Sequence, residues 1–301
     1  MTGKRAARQP RLAAVTMVRD EAAMLPRWID HYSRQCDGPA SLVVLDDNSK
    51  DGSTDDLPCS VIRIPEETKK RYFERSRMKM SSGIAAGLLA VYDAVMFTDA
   101  DEFLVADPAK YETLTDLVWD RPGVEALAAL CLNVVHHVGA EGDLDPAQPI
   151  LAQRRLGKFI PRMCKPALKR TPAAWTAASH GLTAPYSIDE DLYLFHAKFA
   201  DRETLHGTAE HRQWITDTYG RAKTSTWGLG ADKMTKLLDK AVAEGDPSGA
   251  PEFAPPSRAE LDAIVQRRKE GELWSSRGAN QFKAMKKQPF VTIPERFSHS
   301  V

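Results

Sequence analysis

Short runs of continuous apolar residues alternate with longer stretches in which apolar positions recur every three or four residues. The run LAAVTMV at 12–18 is apolar throughout, which predicts a strand buried on both faces. In EAAMLPRWIDHYSR at 21–34, Met24, Leu25, Trp28, Ile29 and Tyr32 fall at helical spacing, and an amphipathic helix follows. The run SLVVL at 41–45 then completes a β-α-β unit. SVIRI at 60–64 predicts a third strand, 69–91 a long helix, and VMFT at 95–98 a fourth strand. Two more strands are predicted at 124–135 (VEALAALCLNVV) and 191–195 (DLYLF). Alternating strands and helices over the first hundred residues imply an α/β fold with a mostly parallel sheet flanked by helices. Beyond Asp201 the pattern becomes helical and charged, with a loop at 245–256 and a capping box at 257–260 (SRAE). The expected organisation is a flexible basic tail at 1–10, an α/β domain at 11–210 and a mainly helical C-terminal extension at 211–301.

Composition narrows the partners. The 301 residues hold 41 basic and 41 acidic side chains, so no global charge points to nucleic acid or an anionic surface. Cys36, Cys59, Cys131 and Cys164 lie far apart, with no CxxC pair, which argues for reduced core thiols over a zinc site or a disulfide framework. The N-terminal apolar run is short and broken by Arg19, Asp20 and Glu21, unlike a signal peptide. A cytoplasmic protein is the expectation, with peripheral contact at the inner face of a membrane left open.

The polar residues that end the strands carry the candidate chemistry. After the second strand, Asp47, Ser49, Asp51, Ser53 and Asp55 occupy calcium-loop positions around Gly52, but position twelve is Pro58, which has no side-chain oxygen. Open α/β sheets bind ligands beyond the carboxyl ends of their strands, so Asp46 or Asp47 suits a nucleobase N–H or ribose hydroxyls better. The fourth strand runs into Asp99, Asp101 and Glu102 within FTDADEFL. Asp99 and Asp101 would repel each other without a compensating cation, and hard carboxylate oxygens favour magnesium or manganese.

Three segments together, MVRDE with LPRWIDHY (17–21 and 25–32), VVLDDNSKDGS (43–53) and FTDADEF (97–103), resemble the family-2-type glycosyltransferases of GT-A fold. The likeness is closest to a branch with a DxDEF motif that also resembles the family-92-like enzymes. It covers about 12–105 well and 160–210 loosely. The resemblance implies a GT-A type nucleotide-binding fold, with 11–105 as the nucleotide-binding half and 106–210 as the acceptor half. It also implies metal-dependent sugar transfer, with inversion, from a UDP- or GDP-sugar to a carbohydrate or cell-envelope acceptor, as in polysaccharide biosynthesis.

Within that resemblance, Asp46 or Asp47 contacts the nucleotide, Asp99 faces the ribose or sugar, and Asp99 and Asp101 hold the Mn2+ or Mg2+. Asp20 and Glu21 sit at the nucleotide, Asp20 standing where many members carry Asn. His180 and His196 match the family's C-terminal histidines, His180 at the donor and His196 as a metal ligand. The basic residues Lys158, Arg162, Lys165, Lys169 and Arg170, with Arg77 and Lys79, are candidates to neutralise the departing diphosphate. Asp143 is the preferred general base, with Asp189, Glu190 and Asp191 as the competing set, while His206 and His211 read as ordinary helix-surface residues. Two other function classes stay open: a nucleotidyltransferase, which lacks a Gly-rich phosphate loop here, and a calcium-dependent binding module built on 47–55.

Overall fold

A computed structural model describes residues 9–65, 73–220, 229–268 and 272–301, so part of the expected tail and the start of the helix predicted at 69–91 lie outside the described residues. Strand β1 (Leu12–Val18) leads through α1 (Leu25–Gln35) to β2 (Leu42–Asp46), β3 (Ser60–Arg63), α2 (Phe73–Leu88) and β4 (Ala94–Phe97). Next come β5 (Glu102–Ala106), α3 (Leu114–Trp119), β6 (Ala126–Val135), α4 (Ile150–Gln153) and β7 (Leu156–Phe159). They are followed by β8 (Leu168–Lys169), β9 (Gly181–Leu182) and the long β10 (Ser187–Phe199). The remainder holds α5 (Arg202–Tyr219), α6 (Ala231–Glu244), α7 (Arg258–Ile264), β11 (Val265–Arg267), β12 (Trp274–Ser276), α8 (Gln281–Lys287) and β13 (Val291–Thr292).

The main sheet runs β13-β7-β6-β8-β4-β1-β2-β3. From β4 to β3 every pairing is parallel, and β1, β2 and β4 are buried almost throughout, as continuous apolar runs require. Register places Val18 opposite Asp46 and Val15 opposite Phe97, so all three strands end at one rim. Mixed strands extend the sheet beyond β4. There β10 runs parallel to β6 and antiparallel to β5, which sets His196 opposite both Asn133 and Glu102.

The C-terminal residues include strands as well as helices. β13 joins the main sheet beside β7, β12 pairs with β9 and β11, and Arg296 is bonded to the buried Asp107 of the β5 edge. Helix α5 crosses position 210 without a break; Asp201 caps its N-terminus, accepting from Thr204 N–H at 2.9 Å, and Gly220 ends it at φ 67°. The capping box expected at Ser257 and Glu260 is present at the start of α7. No described helix is long and apolar enough to cross a membrane.

Candidate active site

The loops after β1 and β2 are sewn together by their own polar groups. Asp20 adopts φ 53°, a left-handed conformation that Asp tolerates, and its Oδ1 accepts the N–H groups of Lys50 and Asp51 at 2.5 and 3.2 Å. In return Ser49 Oγ accepts from Asp20 N–H at 3.1 Å, and Asp51 Oδ2 from Ala22 N–H at 3.2 Å. These bonds hold Asp20 out of helical conformation. Helix α1 therefore begins at Leu25, with Pro26 in its first turn, and not at 21.

Asp46 corrects one expectation. Its carboxylate is 1% exposed and accepts from Ser49 N–H at 2.8 Å, Thr54 O–H at 3.1 Å and Arg63 at 3.1 Å. Its bonds shape the turn, and it is not on the wall of the cavity described next. The calcium-loop oxygens go the same way: Asp51 accepts from Ser53 N–H and O–H, while Asn48 and Gly52 supply the positive-φ positions.

At the shared rim lies a cavity of about 280 Å³. It brings together Asp20, Glu21, Asp47, Asp99, Asp101, His180 and His196 from the candidates, and adds Glu102. Two other candidates are exposed and do not line it. Lys79 projects away because α2 turns Phe73, Glu74 and Arg77 inward, and a residue two positions further lies about 200° round the helix. Asp143 sits in a loop held by bonds from Arg154 to Gly142 C=O and from His137 N–H to Glu141. Asp189 and Asp191 are paired with Arg121.

The basic run contributes only Lys165 to the lining. Lys158 and Lys169 are spent on the backbone carbonyls of Gln288 and Ala173, and Arg170 on that of Val118. The other cations on the wall are Arg19, Arg77, Lys198 and Arg212, and His211 joins them 3.1 Å from Asp20. His211 is thus no ordinary surface residue. Gly207, Thr208, His211, Arg212 and Ile215 recur at helical spacing and so share the face of α5 that lines the cavity.

Among the described residues, the group able to hold a metal ion is Asp101, Glu102 and His196, whose ligand atoms all lie within 4.8 Å of one another. Asp99, expected as a ligand, stands outside that group: Arg77 binds its Oδ1, and Lys165 lies 3.9 Å from its Oδ2. Glu102, which the DADE sequence offers but the expected ligand set omits, has both oxygens engaged, by Lys165 at 2.7 Å and by Asp99 N–H at 3.1 Å. Asp101 and His196 are the pair best placed for a cation, with His196 Nε2 3.5 Å from Asp101 Oδ2 and Nδ1 2.9 Å from Asn133 Oδ1. An amide that fixes the far ring nitrogen orients the near one toward the cavity.

Charges are strongly coupled here. Burial opposes the ionisation of Asp101, but His196 and Arg212 outweigh it and hold the carboxyl well below the usual range. Burial likewise works against Asp99, and Arg77 with Lys165 overcomes it. Burial pushes His180 down to about 4, helped by Lys165 and Arg162, so it is a neutral imidazole. Lys198 is brought to about 8 by burial and by Arg212. Glu21 moves the other way, raised to about 7 by burial and by the Asp101 and Asp99 charges against the pull of Arg212.

The Glu21 shift makes stability depend on pH. The folded state keeps this proton up to about pH 7, whereas the unfolded chain releases it near 4.5. The stabilisation is full below the unfolded value and lost as pH rises through the folded one. Relative to wild type, Glu21→Gln is therefore expected to gain stability progressively from about pH 4.5 to 7 and to level off above. Urea melts of both proteins across that range check it, and a difference independent of pH contradicts it.

No protein-family model and no curated protein sequence matches the chain. Solved structures show partial similarity. Mannosyltransferase PcManGT from Pyrobaculum calidifontis, in complex with GDP-Man and Mn2+, is 22% identical over 44% of this chain and 37% of its own, with a TM-score of 0.27. S. aureus TarS is 15% identical over 67% of this chain and 40% of its own, with a TM-score of 0.38. Glucosyl-3-phosphoglycerate synthase from Mycobacterium tuberculosis, with Mn2+, UDP-Glc and phosphoglyceric acid, is 21% identical over 40% and 44%, with a TM-score of 0.27. The chain spans less than half the length of each of these three structures.

Proposed function

We propose that this chain is a GT-A type glycosyltransferase that moves a sugar from a nucleotide-diphosphate donor to a hydroxyl of a carbohydrate or envelope acceptor, with inversion. The observation that carries the reading is the rim cavity itself. Carboxylates from the ends of β2 and β4 meet there, and β10 delivers His196 to Asp101 from 95 residues further along the chain. That convergence suits a diphosphate bridged by a divalent ion more than a calcium module, whose loop oxygens on Ser49, Asp51, Ser53 and Asp55 are already bonded within the chain.

Asp101 and His196 would hold the ion, and the imidazole favours manganese over magnesium. When bound, the ion supplies charge that stabilises the leaving diphosphate. Asp47 accepts from the base or ribose, and neutral His180, whose Nδ1–H donates to Arg162 C=O at 3.2 Å, offers Nε2 as an acceptor for a hydroxyl of the donor. In the transfer, the acceptor oxygen bonds to the anomeric carbon, the bond from that carbon to the phosphate oxygen breaks, and the acceptor proton passes to a carboxylate. Glu21, on the wall and near neutral in pKa, fits that base better than the exposed Asp143.

Calorimetry with UDP and GDP tests the reading. Binding of at least one diphosphate is expected to strengthen about tenfold or more with manganese and to be insensitive to calcium. Tight calcium binding without nucleotide binding overturns it.

A further inference from the structure

We infer that Met285, on helix α8, sets the tautomer of His196 through the side chain of Asn133, leaving the imidazole Nε2 as an acceptor toward the cavity. Met285 and Asn133 are thus positioning residues. The inference deepens the metal role proposed for His196 and rests on that role only for the identity of what Nε2 would bind.

The line of contacts is short and lies away from solvent. Asn133 on β6 sits opposite His196 on the parallel strand β10. Asn133 Oδ1 is 2.9 Å from His196 Nδ1, and Asn133 Nδ2 is 3.4 Å from Met285 Sδ. Asn133 and Met285 are fully buried, and His196 is nearly so. With no water to lend or take a hydrogen, the three side chains must satisfy one another.

Donor and acceptor chemistry then fixes each hydrogen along the line. A thioether sulfur accepts and cannot donate, so the amide group that faces it must be the NH2. The carbonyl oxygen of the same amide faces the imidazole, and an acceptor there requires a hydrogen on Nδ1. A neutral imidazole carries one ring hydrogen, which leaves a lone pair on Nε2, the nitrogen 3.5 Å from Asp101 Oδ2. Turning the amide over would set Oδ1 against the sulfur, acceptor against acceptor, and would move the ring hydrogen to Nε2, where it blocks a cation.

Met285 is itself placed by residues from distant parts of the chain. It belongs to a core that includes Val135, Phe199, Leu238 and Phe290. Lys158 donates to the carbonyl of Gln288, just past the end of α8, at 2.8 Å. A lysine that does not reach the cavity thereby helps hold the helix that supplies the sulfur. The C-terminal segment acts on the Asp101 and His196 pair from behind the strands that carry it.

The test is histidine-selective nitrogen NMR of the full chain, metal-free and at alkaline pH, which separates protonated from unprotonated ring nitrogens. The His196 signals, among those of eight histidines, are identified by their loss in His196→Gln. Wild type is expected to show hydrogen on Nδ1. Asn133→Leu, which removes the acceptor, is expected to move it to Nε2, and Met285→Leu, which frees the amide to turn, to give a mixture. Manganese affinity, read by electron paramagnetic resonance, should fall about tenfold or more in Asn133→Leu and less in Met285→Leu. Adding Asn133→Asp to Met285→Leu should restore the Nδ1–H form, because a carboxylate accepts through either oxygen. Met234→Leu, a matching change in the same core, should leave the tautomer as in wild type. Circular dichroism melts confirm that each variant is folded. Hydrogen on Nε2 in wild type, or a tautomer that Met285→Leu leaves unchanged, overturns the inference. An Nδ1–H tautomer that follows the predicted variant order supports it even if manganese fails to bind, an outcome that rejects the metal reading alone.

Discussion

Asp101→Ala is expected to lose sugar transfer by about 10³-fold and to lose manganese-enhanced nucleotide binding, while keeping its fold. The magnitude follows from removing charge stabilisation worth several kcal/mol at the leaving diphosphate. The fold survives because Asp101 lies in the turn between β4 and β5 and not in the apolar core. Thermal melting without metal should fall slightly, because the favourable pairing of the ionised Asp101 with His196 and Arg212 is lost. The residual Asp99 cannot substitute, because Arg77 and Lys165 flank its oxygens. Radiolabelled transfer from UDP- and GDP-sugars, alongside calorimetry with manganese, checks both halves. Undiminished turnover would sink the assignment of Asp101.

Lys165→Met is expected to destabilise the protein by about 3–5 kcal/mol, because it leaves the Glu102 carboxylate buried without its cation. Both side chains of this pair are 1% exposed and lie 2.7 Å apart. For a chain of this size the loss corresponds to a fall in melting temperature on the order of 10 °C. Burial already lifts Glu102, so without Lys165 it takes up a proton more readily. The defect should shrink as pH falls, since the protonated acid needs no partner. Combining Lys165→Met with Glu102→Gln should recover much of the stability, and a double mutant no better than the single one would show that packing of the lysine stem, not charge, was lost.

Much of the fold of the first hundred residues was legible in the sequence. Continuous apolar runs at 12–18, 41–45 and 95–98 specify buried strands because every residue there can be satisfied on either face of a covered sheet. Sudden acidic clusters at the ends of two such runs could only fall at the sheet's carboxyl rim, and Asp47, Asp99 and Asp101 are found there. Individual directions were harder to read. Asp46 and Asp47 are neighbours of identical chemistry, yet one turns into the loop and the other lines the cavity, because successive side chains at a strand end point to opposite sides.

The same limit separated Asp99 from Glu102. Their grouping depends on Arg77 and Lys165, which come from α2 and the segment after β7, and pairing over such separations leaves no local pattern. Helix α5 shows it most clearly. The sequence showed a charged helix after Asp201, with His211 read as a surface residue, and only packing turned Arg212 and His211 to the cavity. By itself, the sequence determined which strands are buried and that acidic residues end them, since burial and strand polarity are set by neighbours along the chain. The tertiary structure decided which carboxylates keep a face to the cavity, which are neutralised by cations, and that β10 and α5 complete the wall, because those outcomes depend on charges and surfaces brought together from distant parts of the chain.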